Sequence, residues 1–389
     1  MRMPHASIPL IPDLVEYLGI RDPDFNWFEA AQLLLSALVV PILAKLGDMI
    51  GHKKVLLLST VLTAGASWWL VFAADFWSFL FAWALQGFYV VWLPLEVALI
   101  FDRGRSEKRG ASQTRRAAGF LVVALEAGAI AGALGGGRFF EAVGGNVPLA
   151  LSVPAAATTV AFFAILFGVP ESTPVPGRRL DTVGFVLLTI ALLTITSGLT
   201  FLRINGPEAW WVYLLMAVGV FLLLPFGRWV LRHPDPAIDL RVLRQPSMWP
   251  IQLVAGLLGI SILGAQAPLS LYAGTDPVVG YGLGLSSSAI SNIIGAYLIA
   301  MIVGALLFPV LSNRIGSGAL VAALPAAASA AAPLGQTGIA AGLTNTTKTI
   351  GGSFASAVFA VVLIYAGGQA ALETVGTYAG YLTVFAICG

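Results

Sequence analysis

The chain has 389 residues, of which 58% are hydrophobic and only 10% charged, with a formal net charge of +2. Soluble domains carry about 25% charged residues, so a chain this apolar could not cover its own surface in water. The single cysteine, Cys388, excludes a disulfide framework, and the scattered His5, His52 and His233 argue against a metal cluster. No cofactor, metal or nucleic-acid partner is expected.

In chain order, "MRMPHASIPLIPDLVEYLGI" is not a signal peptide, because its apolar stretch is short and broken by Pro9 and Pro12. Residues 1–26 read as the outer remnant of a first span whose beginning is absent. Apolar runs long enough to cross a bilayer as helices follow at 27–46, 55–74, 77–101, 117–138, 148–169, 183–202, 209–230, 249–273, 286–311 and 337–366. They are too long and too evenly apolar for barrel strands. The expected class is therefore an all-α polytopic membrane protein with about ten full spans. A last run, 377–389, is too short to cross, and the Pro325-interrupted stretch between Gly316 and Gly335 reads as an interfacial or re-entrant piece, or the remnant of a lost span.

The cations divide by loop. Lys45, Lys53 and Lys54, then Arg103, Arg105, Lys108, Arg109, Arg115 and Arg116, then Arg178 and Arg179, then Arg232, Arg241 and Arg244, then Arg314 fall on one side of the alternating spans. The opposite loops hold Arg21, Arg138 and Arg203. This asymmetry predicts a multi-pass protein of the cell membrane with the Lys/Arg-rich loops in the cytoplasm.

One segment combines features that burial in lipid disfavours. "GFLVVALEAGAIAGALGGG" carries Glu126 among glycines spaced by four at Gly128, Gly132 and Gly136. The spacing puts those glycines on one helix face, where a partner helix could approach closely. Glu126 falls near the middle of the hydrocarbon core, where a charge costs at least about 2.5–3.5 kcal/mol unless it is paired, hydrated or protonated. Two readings stay open: a proton-coupling acid facing a central cavity, or a structural acid within the N-terminal bundle.

At "LAKLGDMIGHKKVLL" the chain resembles the major facilitator superfamily, whose corresponding loop reads roughly G-x-L-x-D-R-x-G-R-[RK]. Leu46, Asp48, Gly51 and Lys53 fit, while Ala44, Met49 and His52 stand where a glycine and two arginines are usual. Gly119, Gly128, Gly132, Gly136 and Gly137 match every glycine of that superfamily's antiporter signature, with Ala133 at its proline. In the fourth span Gln86 and Gly87 fit the pattern R-x-x-Q-G, with Trp83 in place of the arginine. "GRRLDTVGFVLLTIAL", "HPDPAIDLRVLRQPS" and "GIAAGLTNTTKTIGGSFASAV" resemble the fourteen-span drug:proton antiporter branch.

The resemblance implies a two-bundle fold, incomplete here. Residues 27–169 form an N-terminal bundle, 170–248 a linker with two extra spans, and 249–389 an incomplete C-terminal bundle. It implies export of small amphipathic molecules driven by proton entry through alternating access. The glycine signature would seal the two bundles, and Asp48, Gly51 and Lys53 would form a gate. Glu126, Glu96 and Glu29 are the proton-coupling candidates. Gln86, Tyr89, Trp92 and Lys348 are the substrate-cavity candidates, the aromatics for a flat cation and Lys348 to balance a buried acid or bind an anion. "GALGGG" lacks the lysine of an ATP-binding loop and lies within a span, and no clustered catalytic residues suggest an enzyme. Against the fourteen-span pattern the chain is short, so the alternative is a truncated remnant that inserts but does not transport.

Overall fold

The computed structural model describes residues 10–106, 111–172, 180–315, 337–366 and 375–388, except Asp235, Ala237, Asp239, Arg244 and Ser247. The side chains of 101–119, Val122, Val123, Glu126, Arg203, Val242, Leu243, Met301, Ile302 and 304–342 are also outside the described set. The expected re-entrant piece between Gly316 and Gly335 also lies outside the described residues.

Every regular element among the described residues is helical. In order they are α1 (Ile11–Leu18), α2 (Phe25–Ile50), α3 (His52–Phe72), α4 (Phe76–Leu85), α5 (Trp92–Ser106), α6 (Ala111–Ala142), α7 (Val147–Gly168), α8 (Thr182–Asn205), α9 (Trp210–Arg232), α10 (Leu240–Leu243), α11 (Trp249–Leu258), α12 (Gly264–Gly274), α13 (Ser287–Ile315), α14 (Thr337–Tyr365) and α15 (Tyr378–Cys388). A 3₁₀ segment, Gln86–Val91, joins α4 to α5, and a π-helical turn, Gly259–Leu263, joins α11 to α12.

Among the described residues eight helical stretches are long and apolar enough to cross a membrane: Asp22–Ile50, His52–Phe72, Phe76–Ile100, Val147–Gly168, Thr182–Leu202, Trp210–Arg232, Trp249–Gly274 and Leu343–Tyr365. Their bounds fall close to the runs expected from hydropathy. The other two expected runs, 117–138 and 286–311, lie on α6 and α13, which are helical along those lengths.

Local chemistry sets the ends. α1 carries Pro12 in its first turn, where no amide donor is needed, and stops at Gly19, whose φ of 60° is left-handed. Asp75 caps α4 by accepting from the amides of Trp77 and Ser78, and Asn146 caps α7 through the amide of Leu149.

The helices pair as α3 with α7, α8 with α9, α6 with α13, and α2 with α14. The largest core cluster joins both ends of the chain, from Ile11, Phe25 and Phe28 through Ala129 and Ala133 to Leu363 and Tyr381. Two further clusters show where the α8–α9 hairpin sits. Leu188, Phe226 and Val230 pack with Leu38 of α2 and Leu343 of α14, while Leu199 packs with Trp27, Ala30, Ala357 and Ala360. The hairpin thus lies along the α2–α14 seam at two levels.

Asp181 pins that hairpin. Its Oδ1 accepts from the amide of Gly184 at 2.9 Å and from Trp229 Nε1 at 2.8 Å, and the residue is 2% exposed. Asp181→Ala removes a helix cap and leaves the indole donor unpaired, a loss of about 1–2 kcal/mol. A lower thermal midpoint of the purified protein in detergent is the expected result; an unchanged midpoint would remove this pin from the account.

Candidate functional site

At the Lys/Arg-rich end the chain turns sharply between α2 and α3 at Gly51, whose φ is 110°. A Cβ on that glycine would lie 2.6 Å from Glu171 Oε1. Glu171 Oε1 accepts from the Lys53 amide at 3.0 Å, and Ser172 Oγ accepts from the His52 amide at 2.8 Å. Those two residues follow α7, so the segment after one helix caps the orphan amides that open another. The His52 ring lies between Asp48 Oδ1, 3.2 Å from Nε2, and Ser172 Oγ, 2.9 Å from Nδ1. Lys53 Nζ donates to the Leu166 carbonyl at 2.9 Å.

The expected gate residues Asp48, Gly51 and Lys53 are therefore together, and His52, standing where an arginine is usual, fastens the turn. Gly51→Ala forces an L side chain into a left-handed backbone and against Glu171, costing at least about 1–2 kcal/mol. A reduced thermal midpoint, with normal membrane insertion, is the outcome that checks it; a midpoint equal to the parent's would count against the tight turn.

The α2–α14 seam carries an unusual polar line. Asn26, Glu29, Gln32 and Ser36 recur on one face of α2 and are 0%, 6%, 4% and 0% exposed. Ser36 Oγ donates to the Gln32 carbonyl at 2.8 Å and lies 3.1 Å from the Gly87 carbonyl. A Cβ on Gly87 would be 2.6 Å from the Gln32 carbonyl, so the 3₁₀ segment approaches α2 backbone to backbone. From α14, Ser353 Oγ donates to the Ala30 carbonyl at 2.8 Å. Glu29 therefore sits one residue from a direct α2–α14 hydrogen bond, inside an apolar span.

The Lys/Arg-poor end is closed where α1 and α6 meet α13. The Gly137 amide donates to Ser291 Oγ at 3.0 Å, Arg138 Nη2 to Asn292 Oδ1 at 2.6 Å, and the Ser288 amide to Glu141 Oε1 at 3.1 Å. The Ser287 hydroxyl bonds Asp13 Oδ2. A Cβ on Gly137 would overlap the Ser287 carbonyl and Ser291 Oγ, and one on Gly295 would overlap the Leu134 side chain. Burial pushes the Asp13 carboxyl up from its ordinary value, against the pull of the Ser287 bond. The Ser288 bonds hold Glu141 below its ordinary value.

Along α6 the buried row is Leu125, Ala129, Ala133 and Gly137. Gly128, Gly132 and Gly136 are partly exposed, one residue off that row. The position of Gly119 and the side chain of Glu126 lie outside the residues described for burial.

Of the remaining candidates, Gln86 Nε2 donates to Ser67 Oγ at 2.8 Å, tying α3 to the 3₁₀ segment. Trp92 is 7% exposed and packs with Val40, Leu43 and Leu95. Tyr89 and Glu96 are half-buried nearby. Lys348, also half-buried, lies where α14 crosses the π-helical turn, so closely that a Cβ on Gly259 would overlap its carbonyl. Trp83 is buried in a ring cluster with Phe25, Phe28 and Phe79, so the position where the resemblance expects an arginine is apolar core. An open groove of about 380 Å³ lies between α11 and α14, lined by Trp249, Gln252, Leu253, Leu257, Ile260 and Thr347 among others.

The profile of the Major Facilitator Superfamily matches residues 5–388. The chain belongs to the Major Facilitator Superfamily. Among relatives, it is 27% identical over 269 residues to a uridine/deoxyuridine transporter of Lactococcus lactis, covering 66% of this chain and 53% of that protein. It is 25% identical over 394 residues to the drug efflux pump JefA of Mycobacterium tuberculosis, covering 91% of this chain and 75% of that protein. The chain thus spans about half the length of the first of these relatives. A crystal structure of an autoinhibited POT family peptide transporter superposes with a TM-score of 0.54 at 13% identity, covering 99% of this chain and 91% of that one. The superfamily's two-bundle helical fold is therefore the fold of this chain, and its members are transporters.

Within that superfamily frame, sequence reading missed Glu171, Ser172, Asp13, Ser287 and Ser291. Glu171–Ser172 directly after an apolar run is a capping signal, but its targets lie about 120 residues earlier. Nothing local marks Asp13 or the serines that begin α13 as partners of one another.

Proposed function

We propose that the chain is a proton-coupled exporter of small amphipathic molecules, working by alternating access in the cytoplasmic membrane with its Lys/Arg-rich loops inside. The observation that carries this reading is Glu29, a carboxyl group 6% exposed on a membrane-spanning helix at the α2–α14 seam. A charge inside a span without a partner costs about 2.5–3.5 kcal/mol by insertion scales. Taking up a proton removes that cost, and wetting the seam removes it too. Proton binding at Glu29 is thereby tied to which side of the seam is open. Glu96 and Glu126 remain secondary candidates for the same role.

Four further points support the reading. The relatives include a protein named a drug efflux pump. The fourteen-span branch fits the extra α8–α9 hairpin. The turn at Asp48–Lys53, the candidate gate, is tied to the segment after α7 by hydrogen bonds. The α11–α14 groove is apolar, with Gln252 and Thr347 bonded to one another at its floor, which suits the apolar part of a guest.

The test is uptake of fluorescent cationic dyes into inside-out vesicles carrying the chain, with an imposed proton gradient and a protonophore control. Protonophore-sensitive uptake is expected. Uptake indifferent to the gradient, or none from well-inserted chain across a broad dye panel, overturns the proposal.

A further inference from the structure

The polar line of α2 has a counterpart on α14. Thr346, Thr349, Ser353 and Ser356 recur along one stripe of that helix, and all four are buried. The two helices run antiparallel: Leu343 clusters with Leu38, Ser353 Oγ bonds the Ala30 carbonyl, and Ala357 clusters with Trp27. Ser356 is therefore level with the turn of α2 that carries Asn26 and Glu29.

Asn26 Nδ2 donates to the Pro23 carbonyl at 3.3 Å, which leaves its Oδ1 as an acceptor. Among the described residues that Oδ1 has no partner, and neither has Ser356 Oγ; both residues are 0% exposed. Glu29 lies three residues from Asn26 on the same face and makes no hydrogen bond among the described residues.

Donor and acceptor balance decides what fits this turn. An ionised Glu29 brings acceptors only. It can take the Ser356 hydroxyl, but it leaves Asn26 Oδ1 unanswered and sets a negative charge beside a carbonyl oxygen. A protonated Glu29 brings one donor and keeps an acceptor, so it answers both groups at once. The turn is one donor short, and a proton on Glu29 is that donor.

The other ionisable groups on the elements packed against α2 stand away from this turn. Asp22 and Asp24, the latter paired with Arg21, lie toward the Lys/Arg-poor end, and exposed Asp75 caps α4. Lys348 is eight residues from Ser356, about 12 Å along α14. Glu96 on α5 and His52, Lys53 and Lys54 on α3 belong to the Lys/Arg-rich half, and Arg203 stands near the end of α8. Tyr272 on α12 is stacked with Tyr281 and meets Tyr381 edge-on.

We infer that Asn26 and Ser356 are positioning residues for the Glu29 proton. The protonated carboxyl group donates to Asn26 Oδ1, accepts from the Ser356 hydroxyl, and so joins α2 to α14. Water entering an opened seam supplies other partners and takes the proton. This role rests on the coupling proposed for Glu29, and adds that the closed seam selects the proton-loaded acid.

Infrared difference spectra of the full chain in lipid nanodiscs, between about pH 5 and about pH 8 and without substrate or gradient, test this. Subtracting the Glu29→Gln spectrum from the parent isolates the carbonyl stretch of the protonated acid. In Asn26→Leu the acid loses its acceptor. The stretch should move to higher frequency, and the proton should be held about threefold to tenfold less tightly. In Ser356→Ala the carbonyl loses its donor, so the stretch should again move up. A hydroxyl serves the ionised acid better than the neutral one, so here the proton should be held about threefold to tenfold more tightly. Loosened packing that merely admits water would weaken proton binding in both variants. An unchanged band in Ser356→Ala, titrations of the two variants that shift the same way, or no protonated Glu29 band across this range overturns the inference. Gradient-driven dye uptake is measured apart from these spectra. Opposite shifts without uptake would sink the export reading alone, and uptake with unshifted spectra would sink this positioning alone.

Discussion

Glu29→Gln is expected to reduce gradient-driven dye uptake to the level of empty vesicles while sparing dye exchange down its own gradient. Glutamine keeps the size and hydrogen-bonding capacity of the protonated acid but cannot release a proton. If Glu29 couples the two flows, the variant still fills the seam, still folds and still cycles, yet no longer tells one proton state from the other. The neighbouring contacts favour tolerance. Ser353 bonds the backbone of Ala30 rather than the Glu29 side chain, and Gln32 already places an amide on the same face. The measurement is paired uptake and counterflow in the same vesicles. Loss of both would mean the residue is structural; retention of gradient-driven uptake would move coupling to Glu96 or Glu126.

The second large effect is expected at Gly137. A methyl group there overlaps the Ser287 carbonyl and Ser291 Oγ, the first a backbone atom that cannot swing aside. Overpacking of this kind costs about 1–3 kcal/mol. On the proposed alternating-access reading the contact belongs to one conformation, so that cost shifts the population towards opening of this end by about 5-fold to 150-fold. Gly295→Ala meets the far end of the Leu134 side chain instead, which can rotate, and should shift the balance much less. Cross-linking yield between cysteines at Phe139 and Ile293, in a Cys388→Ser chain, reads both variants. Equal yields for the two would show that close backbone approach at Gly137 does not set the closed end.

What could be read in the sequence and what could not divide along physical lines. The spans were legible because hydropathy sums over about 20 residues and needs no knowledge of neighbours. Gly51 was picked out only through the resemblance of its loop to a family motif; the tightness of its turn depends on Glu171, about 120 residues away, and was not legible. The packed row of α6 was legible only in part. Regular glycines at 128, 132 and 136 draw attention, yet the buried row runs through Ala129 and Ala133 to Gly137. Alanine is nearly as small as glycine, so spacing alone leaves the facing stripe uncertain by one residue, or about 100° of rotation. The contacts of the Lys/Arg-poor end were illegible for a different reason. Asp13 and Ser287 are 274 positions apart, and Gly137 and Ser291 are 154 apart. An exposed acid such as Glu141 looks the same in sequence whether water or an amide answers it.

The α8–α9 hairpin has a consequence for guests dissolved in the bilayer. Leu188 and Leu199 cover the line where α2 meets α14 near both of its ends. On this flank an apolar molecule in the leaflet meets α8 and α9 before it meets that seam, so the proposed export of membrane-dissolved compounds would have to begin from another flank.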